Sequence, residues 1–383
     1  MKTVTLREIT LNITDGKHGD CEPAENSGYY FVSCKDVNNG TVDYANARQI
    51  SERDFLETHK RTQLEPNDIL ITNSGTIGRM ALVKDIPETY RTTFQKSVAI
   101  VKPDTSVVLP TYLYYKLQNC VTDFVNRSNG SAQKNLLLGT MREFKIDLHE
   151  DFAEQERLSS ILAAYDNLIE NNQKQIKLLE EAAQRLYKEW FVDFHFPGYE
   201  DTPIVDGVPE GWKKGTLGDI SLFKRGKTIT KAQVLDGDVP VVAGGIEPAY
   251  YHNKSNTVAP VITVSGSGAN AGFTRLYNVD VFASDCSFID SNSTPFLFFV
   301  YCFLKANAMK LDSLQKGSAQ PHVYAKDLNA LVLSVPTEGV LTVFCDIVFP
   351  YFERIRLLQR ENEIAAEARD RLLPKLMSGE IEV

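Results

Sequence analysis

The densest basic run in the chain is Phe223-Lys224-Arg225-Gly226-Lys227-Thr228-Ile229-Thr230-Lys231. Cations spaced this closely suit a polyanion: ammonium groups for phosphate, and a guanidinium fork for phosphate or a guanine edge. The first half offers a counterpart at a similar distance from its opening strand, Thr14-Asp15-Gly16-Lys17-His18-Gly19-Asp20, with Lys17 and His18 as its cations. A solvated turn is the competing account of both stretches. A second set of candidates is duplicated outright. Gly130-Ser131-Ala132-Gln133 recurs as Gly317-Ser318-Ala319-Gln320, which sets Gln133, Lys134 and Asn135 against Gln320, Pro321 and His322. Gln and Asn bond adenine bidentately, while Lys and His reach phosphate or guanine. Here the alternative is a Gly-Ser turn with a purely structural role. Ser74, Arg79, Arg127, Arg275 and Lys316 flank these loops and complete the candidate set.

Catalytic patterns are not found beside them. The chain has no G-x-x-x-x-G-K-[ST] loop for ATP, no Asn-Pro-Pro-Tyr or Asp-Pro-Pro-Tyr tetrapeptide, and no convincing pair of nuclease carboxylates followed by Lys. His18, His59, His149, His195, His252 and His322 form no H-x-x-x-H pair, so no metal site is expected. Val264-Ser265-Gly266-Ser267-Gly268 lacks the Lys of a phosphate cradle and reads as a tight strand-to-turn connection, with Asn73-Ser74-Gly75-Thr76-Ile77-Gly78 as its first-half counterpart. The six cysteines are scattered without a C-x-x-C pair, which suggests buried, reduced thiols.

The elements that must position these loops follow from length and periodicity. At 383 residues the chain suits two or three domains, and 43% apolar content supports real cores. No window approaches 18 consecutive apolar residues, and Met1-Lys2-Thr3-Val4-Thr5-Leu6 does not resemble a signal peptide. A cytoplasmic protein without a membrane partner is therefore expected. The net charge of −9 gives no support to a nucleic-acid partner by itself. Its excess acid is concentrated, however: residues 151–200 carry 5 Lys+Arg against 10 Asp+Glu, while 1–150 carry 18 against 19.

Internal repetition is the strongest structural signal. Besides the Gly-Ser-Ala-Gln pair, offset by 187, Asp68-Ile69-Leu70-Ile71-Thr72-Asn73-Ser74-Gly75 matches Ala259-Pro260-Val261-Ile262-Thr263-Val264-Ser265-Gly266, offset by 191. Leu6-Arg7-Glu8-Ile9 echoes Leu217-Gly218-Asp219-Ile220. Apolar, helix-like runs precede both Gly-Ser-Ala-Gln loops, Tyr112-Leu113-Tyr114-Tyr115-Lys116-Leu117 and Phe298-Phe299-Val300-Tyr301-Cys302-Phe303-Leu304, and four matches in the same order indicate a duplication. Each half opens strand-rich and closes on a helix with an apolar seam in steps of 4 and 3. The first seam is Leu158, Leu162, Tyr165, Ile169, Asn172, Ile176, Leu179, Ala183, Leu186 and Trp190. The second is Phe344, Val348, Tyr351, Ile355, Leu358, Asn362, Ala365, Arg369, Leu372 and Leu376, with Pro350 and Pro374 predicting an irregular start and a frayed end. The expected fold is α+β: two pseudo-repeated strand-rich α/β domains joined by two long helices in an antiparallel coiled coil. The predicted spans are 1–150, 151–196, 197–337 and 338–383. The expected register faces Leu158 with Leu376, Leu162 with Leu372, Tyr165 with Arg369, Ile169 with Ala365 and Asn172 with Asn362. Two separate amphipathic helices, with each Asn turned to solvent, are the alternative.

At Phe152-Ala153-Glu154-Gln155-Glu156-Arg157-Leu158-Ser159-Ser160-Ile161-Leu162 the chain resembles the helical region of type I restriction–modification specificity subunits. Trp190-Phe191-Val192-Asp193-Phe194-His195-Phe196-Pro197-Gly198 with Val208-Pro209-Glu210-Gly211-Trp212 is similar to that family's passage into its second target-recognition domain. Leu372-Leu373-Pro374-Lys375-Leu376-Met377-Ser378-Gly379-Glu380-Ile381 is similar to its ending. The chain departs from the pattern where Gly339-Val340-Leu341-Thr342 replaces the Glu-Gln entry, and where prolines are missing ahead of the first helix. The resemblance implies a subunit without a catalytic site that reads a bipartite site in double-stranded DNA. It also implies two methyltransferase subunits modifying adenine at N6 and two ATP-dependent translocating endonuclease subunits. S-adenosylmethionine, ATP and magnesium would then be bound by those partners, none by this chain. The rival readings are an anti-restriction decoy, a coiled-coil scaffold, and the recognition half of a split or fused nuclease. The repeat running to the C-terminus leads us to expect no truncation.

Overall fold

The computed structural model describes residues 1–38, 40–130, 134–315 and 321–381. It divides into one unit of Met1–Glu170 with Asn362–Val383 and another of Asn171–Glu361. These units cut across the four predicted spans, because each takes part of both long helices.

The first unit is built on a four-stranded antiparallel sheet ordered Thr10–Asp15, Val98–Pro103, Ile69–Thr72, Met80–Leu82. Beside it lies a three-stranded sheet ordered Arg48–Gln49, Tyr30–Val32, Thr92–Phe94, whose last pair is parallel. Lys2–Thr5 pairs with Lys145–Leu148 and closes the lobe. The second unit repeats this plan strand for strand. Its four-stranded sheet runs Lys224–Arg225, Cys286–Asp290, Val261–Ser265, Thr274–Tyr277. Its three-stranded sheet runs Tyr250–His252, Val239–Val242, Phe282–Ala283, again with a parallel last pair. Lys213–Thr216 pairs with Val332–Val335. The duplication therefore holds at the level of strand order and direction.

Sequence explains the central strands. Ile69-Leu70-Ile71-Thr72 is buried at every position, the continuous pattern of a strand covered on both faces. Each lobe also opens on a capping box, in which Glu8 Oε2 accepts from the Thr5 amide (2.6 Å) and Asp219 Oδ2 from the Thr216 amide (2.7 Å). These boxes set Leu6 and Leu217 wholly inside their cores. One alignment needs correction. Leu136 N–H donates to Asn73 and Val323 N–H to Gly266, while Gly75 and Gly268 both adopt φ 80°. The second-lobe counterparts of Ser74 and Gly75 are thus Ser267 and Gly268, two residues beyond the sequence match.

The long helices run Phe152–Phe191 and Glu338–Ser378. None of the twenty seam positions is exposed. In the first unit Leu158 and Leu162 share a core with Leu376 and Met377, and Leu372 packs against it. The start of one helix thus meets the end of the other. In the second unit Ala183, Tyr187 and Trp190 share a core with Phe344 and Val348, with the Trp190 and Phe344 rings 5.8 Å apart. Both units therefore hold antiparallel helix pairs.

Three seam details differ from expectation. Arg369 does not lie over Tyr165. Its guanidinium donates to Asp166 (2.5 Å) and Asp370 (2.7 Å), and Tyr115 Oη donates to the other Asp166 oxygen (2.6 Å). A carboxylate gives guanidinium a charge-assisted bond that a ring face cannot match. Asn172, buried in the second unit, donates to Glu361 (2.8 Å) rather than to an amide, for the same reason. Asn362 Oδ1, in the first unit, is buried without a partner among the described residues. The second helix runs unbroken through Pro350 and Pro374. Val348 and Phe352 bury the flanks of the first proline, and Leu376 and Met377 those of the second. Lys116 Nζ donates to the Met377 carbonyl (2.6 Å), which anchors the end that was expected to fray.

The first helix is tied to its lobe by Gln155, which is fully buried. Its Oε1 accepts from Leu109 N–H (2.8 Å) and its Nε2 donates to the His149 carbonyl (2.7 Å). Its place in the second lobe is taken by buried Leu341, and the matching Phe296 N–H is taken by Thr294 Oγ1 at 3.2 Å.

Candidate nucleic-acid interface

Each lobe builds a cleft at the same place in its fold, where an edge strand leaves the four-stranded sheet. In the first lobe the strand Thr10–Asp15 ends, and Gly16 crosses the end of Thr92–Phe94 so that Lys17 N–H donates to Phe94 (2.7 Å). A Cβ on Gly16 would stand 1.9 Å from the Phe94 carbonyl oxygen. Gly226 makes the same crossing in the second lobe. Lys227 N–H donates to Ala283 (2.9 Å), and a Cβ on Gly226 would stand 2.2 Å from the Ser284 oxygen. Only glycine fits so near a carbonyl. The far wall is the turn after the central strand, paired with the segment that follows the duplicated Gly-Ser loop. Ser74 bridges Asn135 there, and Ser267 bridges His322.

The first cleft, of about 380 Å³, is lined by Asp15, His18, Asn73, Ser74, Lys96 and Asn135. Asp15 lies buried at its floor, paired with Arg61 and, at 3.3 Å, with His18 Nε2. Asn73 is also buried, and its Oδ1 has no partner among the described residues. Lys96, Asn135 and much of His18 face solvent. The second cleft is much smaller, about 20 Å³, and is lined by Arg225, Gly266, Asp285, Ser287, His322 and Tyr324. Arg225 NH2 stands 3.9 Å from Asp285 Oδ1, and Ser267 Oγ donates to the other Asp285 oxygen. His322 stacks on Tyr324 at 5.8 Å and 12°. Burial pushes the Cys286 thiol up to about 12, so it stays protonated and serves as packing.

These walls bring together His18, Ser74 and Asn135 in one lobe and Arg225 and His322 in the other. Lys134 adjoins the first cleft through its carbonyl, which accepts from Gly75 N–H. Lys224 and Lys227 are exposed beside the second. Lys231 opens a short turn that Thr230 and Gln233 cap. The remaining candidates have structural employment or lie apart. Lys17 is held by Asp54 (3.2 Å) and Glu57 (3.7 Å). Arg275 donates to the Ile246 carbonyl (3.0 Å), pairs with Glu247 (3.2 Å) and covers the Tyr277 ring. Arg127 covers the Phe144 ring at 4.8 Å. Arg79 is exposed at the far end of the Ser74 turn. Gln133, Lys316 and Gln320 lie outside the described residues.

Asp15, Asn73 and Lys96 in one cleft, and Ser267, Asp285 and Tyr324 in the other, are cleft residues that sequence reasoning missed. Ser267 was legible from the glycine beside it; Asp15 and Asp285 were hidden by the search for cations. No group of metal-ligating side chains occurs among the described residues, and no described helix is long and apolar enough to cross a membrane.

The family model described as type I restriction modification DNA specificity domain matches residues 13–181 and again 209–366. A specificity subunit of the type I restriction enzyme MjaIX from Methanocaldococcus jannaschii is 26% identical, over 92% of this chain and 87% of its own. The HindI specificity subunit from Haemophilus influenzae is 22% identical over 99% of both chains. A crystal structure of a type I restriction–modification S subunit from M. genitalium has the same fold, with a TM-score of 0.58 and 16% identity over 98% of this chain and 95% of that one. The two matched spans fall on the two repeated lobes with their helices, and the chain belongs to the type I restriction–modification specificity family as a specificity subunit with two copies of the family's domain.

Proposed function

We propose that the chain reads a bipartite site in double-stranded DNA, one short part by each lobe, as the recognition component of a cytoplasmic complex. Two methyltransferase subunits then modify adenine at N6 with S-adenosylmethionine. Two translocating endonuclease subunits restrict unmodified DNA with ATP and magnesium. This chain binds none of those cofactors. The observation that carries the reading is the cleft built twice, with different polar side chains at equivalent positions on one shared strand frame. A frame repeated with different side chains is what reading two unlike sequences requires.

The test is a lobe exchange. Residues 1–150 are replaced by the equivalent lobe of a relative, the chimera is co-expressed with its methyltransferase subunit, and methyladenine is mapped across the host genome. One half of the motif changes and the other half stays. A motif that changes in both halves, or in neither, defeats the reading.

A further inference from the structure

The geometry points to Arg225 as the residue that selects a G·C pair in the second half-site, with Asp285 as its positioning and co-reading partner. The inference rests on the DNA-reading function proposed above. It differs from treating Lys224, Arg225 and Lys227 as one phosphate-binding run, because the three side chains are not equivalent. Lys224 and Arg225 occupy successive strand positions and so face opposite sides of the sheet. Arg225 is the one that lines the cleft.

Within the cleft Arg225 is mostly exposed, its NH2 stands 3.9 Å from Asp285 Oδ1, and its guanidinium makes no side-chain hydrogen bond among the described residues. Ser267 Oγ fixes that carboxylate from the other side. The backbone beneath both is pinned. Gly226 N–H donates to the Cys286 carbonyl (2.8 Å), and Gly266 N–H to that of Asp285 (3.1 Å). An arginine held beside a fixed carboxylate is a poor phosphate ligand, since the carboxylate repels the phosphate it would bind. It is well suited to a neutral base edge. The fork matches guanine O6 and N7, and a carboxylate beside it accepts from cytosine N4 of the same pair. At the matching position of the first lobe stands Asp15 instead of an arginine, buried and already bonded to Arg61.

The experiment uses the full chain with its methyltransferase subunit. DNA binding and methylation are measured on the cognate site and on variants altered one base pair at a time in each half. Arg225→Lys keeps the charge and loses the fork; Asp285→Asn keeps the shape and loses the acceptor's charge. Arg225 is exposed and Asp285 half-buried, so the folding of each variant is checked by thermal melting. For Arg225→Lys, discrimination at one G·C pair of the second half-site falls by roughly 5- to 150-fold, and Asp285→Asn weakens discrimination at that same pair. Equal loss on every sequence by Arg225→Lys, or an unaltered preference at every position, overturns the assignment while the bipartite reading stands. A wild-type complex that methylates without any bipartite motif removes both.

Discussion

The two lobes share every strand pairing of their main sheets, yet their clefts carry opposite chemistry at the same address. Where the edge strand ends, the first lobe places a buried Asp15 and the second an exposed Arg225. Where the far wall bridges the turn, the first presents Asn135 and the second His322. One step past the crossing glycine, Lys17 is locked to Asp54 and Glu57, while Lys227 stands exposed. The backbone frame and the side chains it displays have thus been kept apart. The frame is fixed by contacts no side chain can vary, namely glycines against carbonyls and amides paired across the turn. Residues on the display face bear little core load and are free to differ. A recognition protein gains from this separation, because a new sequence preference does not require a new fold.

The comparison is broken in both lobes at once at the shared frame. Gly16→Ala and Gly226→Ala each drive a Cβ into a carbonyl that cannot move without its sheet. Each is expected to cost about 1–3 kcal/mol or more, and to cost the two lobes similar amounts. Urea denaturation of the paired variants measures this. A variant as stable as the parent would show that the crossing is not tight.

The lobes part company where each meets the long helices. Gln155 satisfies two buried backbone groups in the first lobe, whereas in the second Thr294 takes the Phe296 amide and Leu341 fills the place of Gln155 by packing alone. Gln155→Leu copies the second-lobe solution without its Thr294. It strands the Leu109 amide and the His149 carbonyl at roughly 1–3 kcal/mol each. A Gln155→Leu protein that melts with the parent would mean that water or a shifted loop replaces the amide.

Much of this was legible in the sequence, and the limits have physical causes. The helical seams could be read because one buried face repeats in steps of 4 and 3 over 40 residues. The lobes could be paired through Leu6 and Leu217, whose capping boxes are local. The strand match slipped by two residues because strand side chains alternate with period two, so a slip of two leaves inside and outside unchanged. Lys17 looked like Lys227 because its partner Asp54 lies on a different element, Glu52–Thr62. Likewise Arg369 was set on a ring because the carboxylate that claims it, Asp166, sits one residue off the seam. Pro350 and Pro374 misled because propensity was weighed without the packing around them.

The smallest effect sharpens the comparison most finely, because it separates two lysines that sequence alone treats as equals. Lys224→Glu with Lys227→Glu reverses two exposed charges beside the second cleft. Affinity of the complex should then fall for cognate and scrambled DNA alike. The slope of log affinity against log salt should flatten by about 0.9 for each phosphate that is no longer neutralised. Lys17→Glu alters the matching position of the first lobe, but there it sets a carboxylate against Asp54 and Glu57. Its cost should appear as a lower melting temperature, with little change in salt slope. If Lys17→Glu flattens the slope as Lys227→Glu does, the ion pair opens on binding and the two loops work alike. If neither does, the phosphates are held elsewhere, and these loops serve only to carry the chain from the edge strand across Gly16 and Gly226.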